Sequence, residues 1–158
     1  MNKVEILLLH VTTFLLTATG LIYAYMHYLL KPVDPFSVVN HPWEPHMMAI
    51  HIVVAPLLVL AVGLIAHSHV AAKLENGARN GRRSGILMIP LFAVMVVSGY
   101  LLQVITSDFR KALVWIHAGS GTLWFLSYLS HQVACYLFRR VVPGPNGTRN
   151  GRKLAEPA

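Results

Sequence analysis

Charged residues and cysteine are both scarce in this sequence of 158 residues. Asp, Glu, Lys and Arg together make up 12% of the chain, about half of the share that a soluble domain carries. Cys135 is the single cysteine, which excludes a disulfide framework and any pair of cysteines in a CxxC motif. The shortage of charge excludes an ordinary soluble domain and directs attention to the apolar residues.

Apolar residues make up 55% of the chain and are concentrated in four blocks. Glu5, at the start of the first block, is the only Asp, Glu, Lys or Arg in any of them. Each block is longer than the roughly 20 residues that a helix needs to cross the bilayer core. The sequence therefore predicts an all-α integral membrane protein, a four-helix up-down bundle with spans at about 4–30, 46–70, 84–106 and 112–138.

Basic residues are distributed unequally between the two ends of these predicted spans. With the N-terminus inside, Lys31, Arg110 and Lys111 lie on the outer side and the other ten Lys and Arg residues on the inner side. An excess of positive charge marks the cytoplasmic side, so we expect both termini in the cytoplasm. The net charge of +7 is attributed to this asymmetry and to contact with anionic lipid, with no nucleic-acid partner. Residues 1–140 are expected to form the membrane domain and 141–158 a disordered polar tail.

Nine histidines are present, and imidazole rings are costly in hydrocarbon unless they are paired, solvated or ligated. All except His41 lie in or at the edges of the four blocks. His117 and His131 are fourteen residues apart in the fourth block, so on a helix they face the same side to within roughly 40° and are separated by roughly 21 Å. This spacing suits two flat cofactors at two membrane depths, each with one axial ligand from this helix.

Depth in the membrane selects the partners of these two histidines. Counted from the ends of the spans, His51 is level with His117, and His10 is level with His131. Two level pairs favour two bis-histidine b haems, and the lack of a CxxCH motif excludes covalent attachment of a c-type haem. The two axial histidines occupy both open positions of each iron, which favours electron transfer over oxygen activation.

Two small residues on the fourth helix share a face with the candidate ligands. Gly121 follows His117 by four residues, and Ser127 precedes His131 by four, so each lies on the face of its histidine. We predict that they give a flat ring room to lie against the helix. Helix packing is the other explanation, since membrane helices use glycine freely at their contacts.

Other roles for the histidines remain open at this stage. His51 and His69 are eighteen residues apart, or five helical turns, so His69 or its neighbour His67 could replace His10 as the inner ligand. Hydrogen bonding between helices would explain the histidines without any cofactor. A zinc site fits less well because structural zinc takes four ligands, often with cysteine. A proton-driven transporter normally has an acid within its spans, whereas all six acids here lie at ends or in loops.

The chain resembles the bacterial cytochrome b561 family, four-helix dihaem proteins of the inner membrane. The matching segments are LLHVTTFLL, AIHIVVAPLLVL and the W-x-H-x13-H pattern in WIHAGSGTLWFLSYLSH, and the resemblance covers about residues 3–138. It implies an inner haem b held by His10 and His131 and an outer haem b held by His51 and His117. The segments LIAHSHV and HPWEPH depart from the family pattern.

The resemblance also implies a function, transmembrane electron transfer between the quinone pool and a periplasmic or membrane redox partner, such as a periplasmic cytochrome or an oxidoreductase subunit. Quinone or quinol would be the substrate. An inner quinone site would combine His67 and His69 with Arg82 or Arg83. The outer candidates for the quinone site are His27, His41, Trp43, Glu44 and His46.

Two other functions remain open. Some members of the family oxidise superoxide at the outer face and pass the electron to quinone, and the cations Lys31, Arg110 and Lys111 could attract that anion. The second alternative is a non-redox membrane subunit for assembly or metal handling, which predicts a colourless preparation.

Overall fold

The computed structural model describes residues 2–32, 34–66, 69 and 82–141, with the side chains of the last range described over 85–137. The described residues form four helices, which agree with the four predicted blocks and confirm the all-α class. The predicted tail beyond residue 141, and His67, lie outside the described residues. The helices are α1 (Lys3–Tyr28), α2 (Glu44–Ile65), α3 (Arg82–Val104) and α4 (Phe109–Val141).

Three of the helices are long and apolar enough to cross a membrane: α1, α2 and the Gly85–Val104 part of α3. Helix α4 is the longest, with 33 residues, but it is not among these candidate spans. Its apolar residues are interrupted by the two histidines and by Ser120, Ser127 and Ser130. The helix that was predicted as the fourth span is thus also the helix with the most candidate ligands.

The chain divides into two compact units, residues 1–78 and 79–158. In the first unit α1 and α2 pack against each other. Helix α1 begins with a capping box, in which the Asn2 side chain accepts the N–H of Val4 and the Glu5 side chain accepts the N–H of Asn2. The buried apolar side chains of this unit are Leu16, Val54, Leu58, Ala61 and Ile65.

In the second unit α3 and α4 pack against each other across a short turn. Arg110, in the first turn of α4, donates from Nη1 to the carbonyl oxygens of Leu102 and Ile105, and so satisfies acceptors that a helix end leaves open. Trp124 and Tyr128 are buried, and their rings are stacked with centroids 5.7 Å apart. The ring centroid of Phe92 on α3 lies 5.5 Å from that of Trp124, so this ring contact and the Arg110 hydrogen bonds join the two helices.

Buried hydroxyl groups in these helices bond back to their own helix. Thr12 donates to the carbonyl of Leu8 over 2.7 Å, and Ser120 donates to that of Ile116 over 2.6 Å, the pattern that allows Ser and Thr in apolar helices. Among the side chains that the structure describes, Thr13 Oγ1 is the buried polar atom without a hydrogen-bond partner.

Candidate functional site

His51 on α2 is held against α1 in the first unit. Its Nδ1 lies 3.1 Å from the carbonyl oxygen of Leu16 and 3.2 Å from the hydroxyl oxygen of Thr19. A carbonyl oxygen only accepts, so Nδ1 is the donor and carries the ring proton. The lone pair of the neutral ring is then on Nε2, which is the tautomer that binds a metal through Nε2.

Gly20 makes this approach possible. A Cβ atom at position 20 would lie 3.1 Å from Cε1 of His51 and 3.4 Å from its Nδ1, and the shorter distance is tighter than about nine in ten real contacts of a Cβ atom. The Leu16 carbonyl is also the helical acceptor for the N–H of residue 20. The ring therefore reaches that carbonyl through the space that a side chain at position 20 would fill. We call Leu16, Thr19 and Gly20 the Thr19 cluster.

His117 on α4 is held in the same way against α3 in the second unit. Its Nδ1 lies 2.9 Å from the carbonyl oxygen of Met95 and 3.4 Å from the hydroxyl oxygen of Ser98. A Cβ atom at Gly99 would lie 3.0 Å from Cε1 of His117. The tautomer is again the one with the proton on Nδ1. We call Met95, Ser98 and Gly99 the Ser98 cluster.

The two hydroxyl groups face the rings as acceptors because their own protons are already used. Thr19 donates to the carbonyl of Leu15 over 2.9 Å, and Ser98 donates to that of Val94 over 2.6 Å. With its proton directed back along the helix, each hydroxyl oxygen can accept from the Nδ1–H group of the histidine. Each ring proton thus faces a carbonyl and a hydroxyl on the neighbouring helix.

His131 is also accompanied by a glycine of α3. A Cβ atom at Gly85 would lie 4.0 Å from Cε1 of His131, an ordinary van der Waals contact. Gly85 and Gly99 are fourteen residues apart on α3, the same interval that separates His117 and His131 on α4. One turn beyond His131, Cys135 Sγ lies 3.8 Å from the Nε2 of the ring.

The other predicted haem-site residues are placed as follows. His10 on α1 and His69 are half-buried. Gly121 lies beside α3, where a Cβ atom would be 3.5 Å from Sδ of Met95. The carbonyl of Ser127 accepts a hydrogen bond of 2.9 Å from the hydroxyl of Ser130.

The sequence did not single out four of the residues that contact the rings: Thr19, Gly20, Ser98 and Gly99. A signal was present, because each pair is a hydroxyl residue followed by glycine in the interior of an apolar block. The spacing predicts clearance four residues from each histidine on its own helix, whereas the structure shows close contacts of the rings with glycines of the neighbouring helix.

The outer candidates His27 and Glu44 form a pair at one end of the first unit. Nδ1 of His27 lies 2.6 Å from Oε1 of Glu44, and Glu44 is buried whereas His27 is exposed. The other oxygen, Oε2, accepts the N–H of Asn40 over 3.1 Å. The Asn40 side chain in turn donates to the carbonyl of His27 over 2.7 Å. Each carboxylate oxygen of Glu44 therefore has a partner, the His27 ring nitrogen at Oε1 and the Asn40 N–H at Oε2.

The remaining outer candidates form a second group in the same unit. The N–H of Trp43 donates to Nδ1 of His41 over 3.1 Å, and the ring centroids of Trp43 and His46 are 5.6 Å apart. Trp43 and His46 are exposed. The structure thus divides the five predicted outer residues into His27 with Glu44 and His41 with Trp43 and His46.

The predicted outer cations differ in how they are used. Lys31 and Lys111 are exposed, whereas the Arg110 guanidinium is occupied by carbonyl oxygens at the end of α3. The inner alternative for a quinone site involves His67 and the side chains of Arg82 and Arg83, which lie outside the described part of the chain.

Within the described residues there is no group of three or more His, Cys, Asp or Glu side chains that could hold a metal ion directly. No family model, curated protein or solved structure matches the chain.

The geometry around His51 and His117 fits ligation of a haem iron through Nε2. Histidines that bind metals almost always donate their other ring N–H to a carboxylate, a backbone carbonyl or water, which fixes the tautomer and the ring orientation. His51 and His117 both do so, with Leu16 and Met95 as acceptors.

Proposed function

We propose that the protein is a dihaem b-type membrane cytochrome that passes electrons between the quinone pool and a redox partner. The observation that supports this most is the repeated arrangement around His51 and His117. A histidine with a packing role needs a partner for its polar atoms, but it does not need the same ring nitrogen, the same hydroxyl position and the same glycine position twice. The proposal includes four spans in a bacterial inner membrane, with α4 as the fourth and both termini in the cytoplasm.

The pairing of the ligands comes from the number of residues between each histidine and the end of its predicted span, and from the resemblance to the cytochrome b561 family. His51 and His117 are proposed as ligands of the outer haem, and His10 and His131 as ligands of the inner haem. The haems supply one-electron transfer when bound.

The residues of the chain hold and orient the proposed ligands. The carbonyls of Leu16 and Met95 accept the Nδ1 protons, which keeps each lone pair on Nε2 and raises its basicity toward a metal. Gly20 and Gly99 let the rings lie against the neighbouring helix. Two histidine ligands on one haem iron would leave no position at which O2 could bind.

We place quinol oxidation at the outer end of the first unit. Loss of electrons from a quinol releases two protons, so such a site needs acceptors near the substrate hydroxyls. The His27 side chain is 43% exposed and its ring is backed by the buried carboxylate of Glu44, so it can be reached from outside and any charge it gains is compensated. Substitution His46→Ala or His27→Ala should slow haem reduction by quinol while the haem content stays unchanged. Unchanged reduction rates in both variants would exclude this site.

A reduced-minus-oxidised spectrum with a pyridine haemochrome count tests the cytochrome proposal directly. We expect two b haems in the purified wild type and about one in each of the variants His51→Ala and His131→Ala. His41→Ala is the matched control, because this histidine lies in the loop that connects α1 to α2. This variant should keep both haems. A colourless wild type made with adequate haem supply would overturn the proposal.

A further inference from the structure

The Thr19 and Ser98 clusters are the same arrangement formed twice. In each, the helix offers a carbonyl at one position, a hydroxyl three residues later and a glycine four residues later, in the segments LTATG and MVVSG. The distances from the histidine Nδ1 to the carbonyl oxygen are 3.1 Å and 2.9 Å in the two units. The two clusters lie on different helices, one in each of the two units, so each is an independent observation.

The glycine of each cluster is in contact with the histidine ring itself. The atoms nearest to a Cβ at Gly20 are Cε1 and Nδ1 of His51, and those nearest to a Cβ at Gly99 are the corresponding atoms of His117. Two other helical glycines behave differently, since a Cβ at Gly63 or at Gly119 would meet nothing within 4 Å. Close helix packing therefore does not explain Gly20 and Gly99, because ring atoms fill the space beside them.

We propose that Gly20 and Gly99 are positioning residues for the haem ligands His51 and His117. The hydroxyls of Thr19 and Ser98 are the second acceptors for the Nδ1–H groups of these two rings. This inference rests on the proposed function and adds the residues that orient the ligands. The missing Cβ lets each ring reach the carbonyl four residues earlier, and the hydroxyl completes the surroundings of the Nδ1–H group. A methyl group at either glycine requires the ring to shift by a few tenths of an ångström, which lengthens the hydrogen bond from Nδ1 to the carbonyl and weakens the restraint on the tautomer.

The first experiment compares alanine substitutions at four glycines in the full chain, purified in lipid nanodiscs. Gly20→Ala and Gly99→Ala introduce a methyl group against a ring, and Gly63→Ala and Gly119→Ala introduce one into open space. We expect the affinity for one haem to fall by about 10-fold or more in each of the first two variants, which is the usual effect of disturbing an outer-shell partner of a ligand. The two control variants should keep both haems.

A second set of variants tests the hydroxyl groups and does not depend on the tolerance of the glycines. Thr19→Val and Ser98→Ala remove the hydroxyl, whereas Thr19→Ser and Ser98→Thr keep it. We expect altered low-spin electron paramagnetic resonance signals of the outer haem in the first two variants, because the ring orientation is less restrained, and wild-type signals in the other two. Thr12→Val is the control on α1, since that hydroxyl bonds to the Leu8 carbonyl.

A third measurement reads the ring nitrogens without any haem. Nuclear magnetic resonance of protein labelled with 15N-histidine should show His51 and His117 with the proton on Nδ1, and Gly20→Ala or Gly99→Ala should weaken that preference for the corresponding ring. If the wild type lacks haem but the glycine variants show this change, the proposed function fails, whereas the role of Gly20 and Gly99 in orienting the two histidine rings stands. Wild-type ring signals and wild-type haem content in both glycine variants would overturn the positioning role.

Discussion

Nδ1 of His27 lies 2.6 Å from Oε1 of Glu44 and joins the last turn of α1 to the first turn of α2. Glu44 is 6% exposed, and a buried carboxylate is tolerated only when hydrogen bonds or charges compensate it. The N–H of Asn40 on the other oxygen completes that compensation. A carboxylate at the start of a helix is also favoured by the helix dipole. The pair therefore fixes the connection between the two helices.

Loss of either partner of this pair should destabilise the first unit. Glu44→Gln keeps the shape of the side chain but removes its charge, and His27→Ala leaves the carboxylate without its closest partner. We expect each to lower the free energy of unfolding by about 1–3 kcal/mol. The double variant should lose less than the sum of the two single losses, because the same contact is removed in both. Denaturant unfolding in micelles measures this, and strictly additive losses would show that the two side chains do not interact.

The neighbouring threonines Thr12 and Thr13 should respond in opposite directions to replacement by valine. The Thr13 hydroxyl is buried without a partner, so Thr13→Val should stabilise the protein by about 1 kcal/mol. The Thr12 hydroxyl has a hydrogen bond of 2.7 Å, so Thr12→Val should be neutral or destabilising by up to about 1 kcal/mol. Thermal unfolding of the two variants side by side measures the contrast. A destabilised Thr13→Val variant that also loses haem would mean that this hydroxyl serves the bound group.

Gly119→Ala should make α4 more stable without disturbing its histidines. A methyl group at this position meets nothing within 4 Å, and alanine in a helix interior is favoured over glycine by about 0.5–1 kcal/mol. We expect a higher unfolding temperature and an unchanged absorption spectrum. Gly121→Ala is the comparison, because its methyl group would lie in ordinary van der Waals contact with Met95 Sδ at 3.5 Å, so the gain should be at least as large. A loss of stability in Gly121→Ala would contradict this contact distance.

Double histidine variants test the predicted pairing of the ligands. If His51 and His117 hold one haem, His51→Ala/His117→Ala should keep about one haem, the same as either single variant. His51→Ala/His131→Ala should keep none, because one ligand of each haem is removed. The pyridine haemochrome count decides between these outcomes. Loss of both haems from the first double variant would assign His51 and His117 to different irons.

The four helices could be predicted from the sequence because each apolar block is nearly free of charge. Their ends could not be predicted as well. Helix α2 begins at Glu44, two residues before the predicted block, because Glu44 is compensated by His27 and Asn40 and because Pro45 fits the first turn of a helix. Such compensation depends on contacts between residues that are distant in the sequence.

The candidate site was predicted in part. His51 and His117 could be identified because a titratable ring in an apolar block is unusual. Gly20 and Gly99 could not, because their role depends on which residues of the neighbouring helix lie opposite each ring, and an apolar block does not fix that register. A hydroxyl residue followed by glycine is the pattern to search for, and it also occurs in the sequence at Ser84 and Gly85 and at Ser120 and Gly121.

The equal intervals on α3 and α4 restrict how this pair of helices can change during evolution. One residue inserted between Gly85 and Gly99 would turn one part of α3 by about 100° relative to the other, so one histidine would keep its glycine and the other would face a side chain. An insertion at the matching level of α4, between His117 and His131, would be required to restore both contacts. Insertions and deletions in this hairpin should therefore be accepted in pairs, or outside the two fourteen-residue intervals.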